Sequence, residues 1–224
     1  MALVSVSDLA HLTFFQGVSP ASLEKIASVA TQKIYHKNQP VFAEEDVDAP
    51  IFFVLQGQVR IFRISPEGKE ITIAVLKVGA PFNIPAAFLP VSNSPANAAA
   101  LSKKTTLIAI AQNDFRRVVS ETPELAVTVM RDLSKKLQHF VMLTYDLGLL
   151  SVRSRLAKFL LEHTAETGEL PRHWTQQQIA TYIGTAREVV SRTLRQFAKH
   201  GIITVESHRT IVIDRLALEQ EIER

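Results

Sequence analysis

Five side chains in the stretch REVVSRTLR are of the kinds that recognise nucleic-acid bases: Arg187, Glu188, Ser191, Arg192 and Arg195. A guanidinium can fork onto the two acceptors of guanine. A carboxylate can accept from the cytosine amino group, and a hydroxyl can reach bases or phosphates. Between Thr185 and Arg209, five Lys or Arg (187, 192, 195, 199 and 209) are set against two acids (188 and 206). That local positive excess suits a phosphate surface. Catalysis has no comparable foothold. The chain shows no paired carboxylates in a recognisable frame, no nucleophile–His–acid arrangement and no Gly-rich phosphate loop, so an enzyme is not expected.

Two helices are needed to present these groups. Thr175 predicts an N-cap, with Gln178 at the capping-box spacing. Ile179, Ala180 and Ile183 then share an apolar face, and Gly184 predicts the stop, since glycine takes the left-handed cap conformation at least cost. Thr185 predicts the cap of a second helix, with Glu188 three residues on. Val189, Val190, Thr193, Leu194 and Phe197 supply its buried side, which leaves the five polar residues outward. Two capped helices around a glycine turn, the second with a polar face, describe a helix-turn-helix. A plain helical hairpin would account for the spacing but not for that basic exposed face.

The run WTQQQIATYIGTAREVVSRTLRQFAKHGII resembles the DNA-binding signature of the Crp/Fnr family of bacterial transcription regulators, almost position for position from Thr175 to Arg192. The resemblance extends over nearly the whole chain. It implies an α+β protein: an N-terminal antiparallel β jelly-roll sensor barrel, a long dimerisation helix and a C-terminal winged helix-turn-helix. It implies that Thr175, Gln176, Thr185, Arg187, Glu188, Ser191, Arg192 and Arg195 lie toward double-stranded DNA, with His208 and Arg209 at the wing tip. Arg192 would fork onto guanine, Glu188 would select cytosine and Ser191 would contact thymine or a phosphate. The order from Glu188 to Arg192 resembles the Fnr branch, which favours TTGA-like half-sites. Arg187 resembles the Crp branch, which favours TGTGA-like ones. RNA polymerase is the implied further partner.

Length and composition agree. A chain of 224 residues, 46% apolar, allows one large or two small domains with real cores. No apolar run can span a bilayer, and MALVSVSDLAHLTFF lacks the basic start and cleavage site of a signal peptide. A cytoplasmic location without a membrane partner is expected. There is no cysteine, which excludes disulfides, thiolate metal sites and cysteine-held iron–sulfur clusters. No metal site is expected. The formal charge of +3 makes the basicity local, not global.

Three parts are expected: residues 1–115 as the barrel with N-terminal helices, 116–151 as a short helix and the long dimerisation helix, and 152–224 as the DNA-binding domain. Near the N-terminus, Gly17-Val18-Ser19-Pro20 breaks the chain before a helix capped by Ser19, with Leu23, Ile26, Ala27 and Ala30 on one face. KIYHK, PVFAEE, IFFVLQ, QVRIFRIS, KEITIAVLK and AALSKKTTLIAI then read as strands, with a hairpin turn at Pro66-Glu67-Gly68. Many short strands with glycine turns predict an antiparallel barrel or jelly roll.

Nucleotide-binding members of the family carry a Gly-Glu phosphate cassette, followed by an Arg and a hydroxyl residue. Here the region reads PFNIPAAFLPVSNSPANAAAL. Asn83 stands for the Gly, Ile84 for the Glu, and Pro95 and Ala96 for the Arg and hydroxyl; a one-residue slip brings in Ser94. No Lys or Arg occurs in the segment. A buried phosphate without a cationic partner is heavily penalised, so cAMP and cGMP are not expected to bind in the usual way. Phe82, Asn83, Ile84, Phe88, Pro95 and Ala96 would instead line an apolar pocket or a dry, filled one. Four effector options stay open: haem with a gas ligand on His11, His36 or His139 among the sensor's many phenylalanines; a small apolar metabolite; a partner protein; or none.

After a break at Pro123, the positions Ala126, Met130, Leu133, Leu137, Phe140, Thr144 and Leu147 alternate at spacings of four and three. This heptad seam predicts a homodimer through the long helix, and Thr144 or Gly148 could hinge it toward the DNA end. SVRSRLAKFLLEHTAE predicts an amphipathic helix burying Leu156, Phe159 and Leu160, followed by a Thr167–Pro171 loop. IITVE and TIVID predict a wing hairpin, and RLALEQEIER a closing helix.

Overall fold

Ile51 to Val54 are apolar at four successive positions, which a strand tolerates only when both faces are covered. The computed structural model shows that cover. Ile51 and Phe53 enter a core shared with helices, while Phe52 and Val54 turn to a second core between two sheets. Each fully buried side chain of this size contributes about 1.5–3 kcal/mol. The structure describes residues 2–66, 68, 70–89, 94–165, 168–171, 174–206 and 209–222, the side chains of 2, 71, 206 and 209 excepted.

The N-terminal elements are β1 (Ala2–Leu3), α1 (Val6–Ala10), α2 (Pro20–Val29), β2 (Ala30–His36), β3 (Pro40–Phe42), β4 (Ile51–Gln56), β5 (Val59–Ile64) and β6 (Glu70–Leu76). There follow β7 (Pro81–Phe82), β8 (Asn97–Ala100), β9 (Lys104–Ile110), α3 (Gln112–Ser120) and α4 (Pro123–Leu149). Next come α5 (Val152–His163), α6 (Gln176–Tyr182), α7 (Arg187–Lys199), β10 (Ile203–Glu206), β11 (Arg209–Val212) and α8 (Arg215–Gln220). Single 3-10 turns form at Thr13–Phe15 and Ile84–Ala87. The chain divides into two compact units, Met1–Lys135 and Lys136–Arg224, the boundary falling within α4.

The first unit is the jelly roll. Its sheets run β1-β2-β9-β4-β7 and β3-β8-β5-β6, all pairings antiparallel. β9 repeats the logic of β4: Ile108 and Ile110 join the helix-side core, Leu107 and Ala109 the inter-sheet core. Leu9, Phe15, Leu23, Ile26, Phe115, Leu125 and Val129 from the helices and the first 3-10 turn complete the former.

Several expectations are corrected. AALSKKTTLIAI is not one strand. β8 ends at Ala100 and β9 begins at Lys104, and the two lie in different sheets. The short pairings of β1 and β7 lacked a recognisable pattern at two residues each. Ala30 does not extend the helical face of α2, because it is the first residue of β2, paired with Ile110. A bulge between Ile61 and Phe62 interrupts the alternation in QVRIFRI. The Ser65–Gly68 turn is closed by the Gly68 N–H donating to the Ser65 carbonyl at 2.8 Å, with Glu67 outside the described residues. Ser19 does stand at the N-cap of α2, but its hydroxyl donates to Ser22 and makes no capping bond.

Helix α4 is continuous through Thr144 and Gly148. The Thr144 hydroxyl bonds back to the Phe140 carbonyl at 2.8 Å, so neither residue interrupts the helix; the break comes at Leu150–Ser151. Among the described residues no helix is long and apolar enough to cross a membrane.

Candidate nucleic-acid interface

Helix α6 begins at a complete capping box. The Thr175 hydroxyl accepts the Gln178 N–H at 3.2 Å, and the Gln178 side chain accepts the Thr175 N–H at 3.0 Å. Ile179, Ala180 and Ile183 are buried. The helix stops at Gly184 in the left-handed region, φ +66. A side chain there would also crowd Leu147 and Leu143, at 3.0 and 3.3 Å from its first carbon.

The start of α7 corrects the expected cap. Thr185 gives its N–H to the Ala180 carbonyl at 2.8 Å, the long bond of a Schellman motif that finishes α6. The cap of α7 falls one residue later. Ala186 takes the N-cap position with no side-chain bond, and Glu188 forms no capping box. The partition of α7 follows the expected faces except at Val189, expected buried but half-buried, and at Ser191. Val190, Thr193, Leu194 and Phe197 are buried, while Arg187, Glu188, Arg192 and Arg195 are exposed and Ser191 is half-buried.

A groove of about 830 Å³ runs beside the helix pair and gathers Thr175, Gln176, Arg187, Ser191 and Arg195 with the β10–β11 hairpin. Glu188 and Arg192 lie on exposed surface and are not among its lining residues. The hairpin pairs Ile203 with Val212 and Glu206 with Arg209, so its second strand begins one residue earlier than TIVID. Its tip, including His208, and the Arg209 side chain lie outside the described residues, as does Thr167 of the preceding loop. Trp174 packs edge-on against Phe159 at 4.8 Å and Tyr182 at 5.5 Å, tying the start of α6 to α5. α8 closes the unit, with Asp214 accepting the Ala217 N–H at 2.9 Å and Leu218 fully buried.

Two arginines of α5 hold this frame, and sequence reasoning passed over both. Arg155 is only 7% exposed. Its guanidinium donates to the carbonyls of Ile183 at 2.8 Å and Leu150 at 2.7 Å, with a longer contact to Gly184 at 3.4 Å. It thereby joins the end of α4 to the turn of the helix-turn-helix. Burial pulls its pKa down, with the charge of Asp146 acting in the opposite sense. Arg153 forks onto Glu221, reaches Gln196 and lies over the Phe197 ring at 4.6 Å. The Glu221 bonds hold its pKa up. The available signal was Arg155 sharing one helical stripe with Leu156, Phe159 and Leu160.

The six candidate effector residues do not share one environment. Ile84 is fully buried in the helix-side core, while Phe82 stacks on Phe52 at 5.1 Å in the inter-sheet core. Ala96 is buried, Pro95 is exposed, and Phe88 is 42% exposed. Asn83 adopts φ +62 and donates to the Ala49 and Pro50 carbonyls at 2.9 and 3.1 Å, while accepting from Ser94 at 3.3 Å. The phenylalanines fill space against one another: Phe14, Phe15 and Phe53 in one cluster, Phe42, Phe52 and Phe82 in another. Phe62 lies under Arg60. His11 is exposed with Nδ1 on the Ser7 carbonyl at 2.6 Å, His36 is exposed, and the His139 ring packs on Tyr182 at 4.5 Å.

On α4, Met130, Leu137, Phe140 and Leu147 are 57, 65, 59 and 49% exposed and Thr144 is exposed, whereas Ala126 and Leu133 pack partly against the barrel core. Val127, Val141 and Tyr145 add to the exposed apolar surface.

Fold and surface define a winged helix-turn-helix DNA-binding protein carrying a jelly-roll domain. The model of the Crp-like helix-turn-helix domain matches residues 154–221, and that of the cyclic nucleotide-binding domain matches 32–122. The chain belongs to the Crp/Fnr family and is a DNA-binding transcription regulator. It is 26% identical over 213 residues to the CRP-like cAMP-activated global transcriptional regulator of Mycobacterium tuberculosis, covering 92% of this chain and 94% of the relative. It is 27% identical over 215 residues to the cyclic AMP receptor protein of Thermus thermophilus, covering 91% and 95%. Its fold is similar to that of a CooA mutant from Carboxydothermus hydrogenoformans, with a TM-score of 0.72 at 22% identity over 98% of this chain and 96% of that one.

Proposed function

We propose that the protein acts in the cytoplasm as a homodimer that reads a palindrome with TTGA- or TGTGA-like half-sites. In this reading residues 152–224 bind DNA, 116–151 dimerise and 1–115 control the pair. The observation that carries it is α7, whose apolar side is sealed in the domain core while Arg187, Glu188, Arg192 and Arg195 stand exposed. Arg192 and Glu188 read base edges, and Ser191 contacts thymine or a phosphate. Thr175, Gln176, Thr185, Arg195, Lys199, His208 and Arg209 hold the backbone. The first N–H groups of α7, uncapped by any side chain, are open to a phosphate. The exposed apolar surface of α4 supports dimerisation, and RNA polymerase is the further partner.

The barrel works without the cyclic-nucleotide phosphate. Relatives are named for cAMP, but here the family's acid position is Ile84, sealed in a core, and its Arg and hydroxyl positions are Pro95 and Ala96. A regulator that needs no small ligand at that position accounts for this packing. Haem gains no support, since the sensor rings pack on one another and His11 has one ring nitrogen already bonded.

The test is affinity for the best palindrome and for a scrambled duplex at several salt concentrations. A bidentate Arg–guanine contact is worth about 1–3 kcal/mol of discrimination. Arg192→Ala weakens the palindrome far more than the scrambled duplex. Arg209→Ala weakens both alike and lowers the salt slope by about one. Equal losses on both duplexes for Arg192→Ala would move that residue to the phosphate class.

A further inference from the structure

Three segments far apart in the chain wall one cleft on the N-terminal unit. They are the 3-10 turn with Thr13 and Phe14, the Lys77–Pro81 turn, and one face of α4 with Thr128, Arg131, Asp132 and Lys135. The cleft encloses about 540 Å³, within the range of small-molecule sites. Its charge is unbalanced: three cations, Lys77, Arg131 and Lys135, against one carboxylate, Asp132. Arg131 and Lys135 are four residues apart on α4 and so share a helical face.

The turn and the start of α4 are held by hydrogen bonds to their neighbours. The Ala80 N–H donates to the Lys77 carbonyl at 3.0 Å, and the turn is tied to β4 by Gly79 N–H to Val54 carbonyl at 2.9 Å and Val54 N–H to Ala80 carbonyl at 3.1 Å. Gly79, at φ +88, sits so close to the N-terminal turn that a first side-chain carbon would lie 2.8 Å from the Thr13 hydroxyl. Phe14 is locked between Phe15 and Phe53. Helix α4 is held at its start by Glu124, whose carboxylate accepts the Ser19 N–H at 2.8 Å. Arg131 and Lys135 are exposed, while Lys77 is half-buried, with its pKa drawn down by desolvation.

We infer that this cleft binds a small multivalent oxyanion, a phosphorylated or polycarboxylated metabolite, held by Lys77, Arg131 and Lys135. Its concave shape and small volume fit a metabolite and not a nucleic-acid backbone, and none of the residues proposed to touch DNA takes part. The site bridges the barrel and the helix proposed to dimerise, so an occupant would join the two.

The experiment is titration calorimetry of the full chain at low salt with pyrophosphate and, separately, citrate. Three proteins are compared: the wild type, Arg131→Gln/Lys135→Gln, and Arg192→Ala/Arg195→Ala as a control for anions drawn to α7. At least one probe is expected to bind saturably at one site per chain. Binding should weaken about tenfold in the cleft variant, the scale for losing two exposed cations, and stay unchanged in the α7 control. Pyrophosphate alone would assign a phosphate ligand, and citrate alone a polycarboxylate; either supports the site. Both substituted residues are exposed, and an unchanged thermal midpoint checks that the cleft variant is folded. Failure of both probes to bind, equal binding by the cleft variant, or binding that the α7 substitutions remove would overturn the inference. Loss of DNA binding in the separate duplex assay would leave it standing.

Discussion

Replacing Arg155 with methionine tests the claim that one buried cation positions the DNA-reading helices. The apolar stem is kept, while the well-formed bonds to Ile183 at 2.8 Å and Leu150 at 2.7 Å are lost. A hydrogen bond to a charged group is worth about 1.5–3 kcal/mol, and the 3.4 Å contact to Gly184 adds little. Against this, removing the guanidinium relieves the cost of burying a charge, and the half-buried Leu150 carbonyl can regain water. The net loss is about 3 kcal/mol, roughly two powers of ten in the unfolding equilibrium. With a urea slope of about 1–1.5 kcal/mol per M for a unit of this size, the midpoint falls by about 2–3 M. The chain's single tryptophan, Trp174, packs against Phe159 and Tyr182, so its fluorescence follows the C-terminal unit. Arg155→Lys should fall between, because an ammonium lacks the planar fork that spans two carbonyls. Specific DNA binding should weaken in the same order. A midpoint shift below about 0.5 M at unchanged slope would refute the reasoning and make Arg155 a bystander.

Three further outcomes are expected. Leu137→Lys/Val141→Lys, at positions 65 and 60% exposed, should dissociate the proposed dimer in sedimentation; Leu133 is avoided because it packs partly against the barrel core. Calorimetry with cAMP and cGMP should show no binding at micromolar concentration, and tight phosphate-dependent binding would overturn the reading of Ile84, Pro95 and Ala96. The Glu124 carboxylate is held below its ordinary pKa, chiefly by the Ser19 backbone N–H. A depressed folded pKa means stability that is present above the ordinary glutamate value and lost as pH falls through the folded one. Glu124→Gln should therefore flatten the fall in thermal midpoint between about pH 5 and pH 3, and an unchanged acid limb would count against the Ser19 contact.

Much of the DNA-reading end was legible in the chain itself. The faces of α7 follow from a 3.6-residue period, the capping box of α6 from two residues three apart, and the turn from a glycine that takes φ +66 without a Cβ penalty. These are short-range rules, and they need no knowledge of the rest of the fold. The division of Ala99 to Ile110 between two sheets was not legible, because sheet membership depends on partners elsewhere: β3 and β5 for the first strand, β2 and β4 for the second. The start of α7 shows the same limit at short range: Thr185 fits a cap by type and spacing, yet it closes the Schellman motif of α6 and Ala186 stands at the N-cap. Leu133 and Leu137 share one heptad pattern, yet only Leu133 meets the barrel core. Burial of Arg155, and the meeting of Lys77 with Arg131 and Lys135, were likewise decided by tertiary structure. Periodicity says which side of a helix is apolar, but only the packed neighbours decide what that side meets and which charges are enclosed beside it.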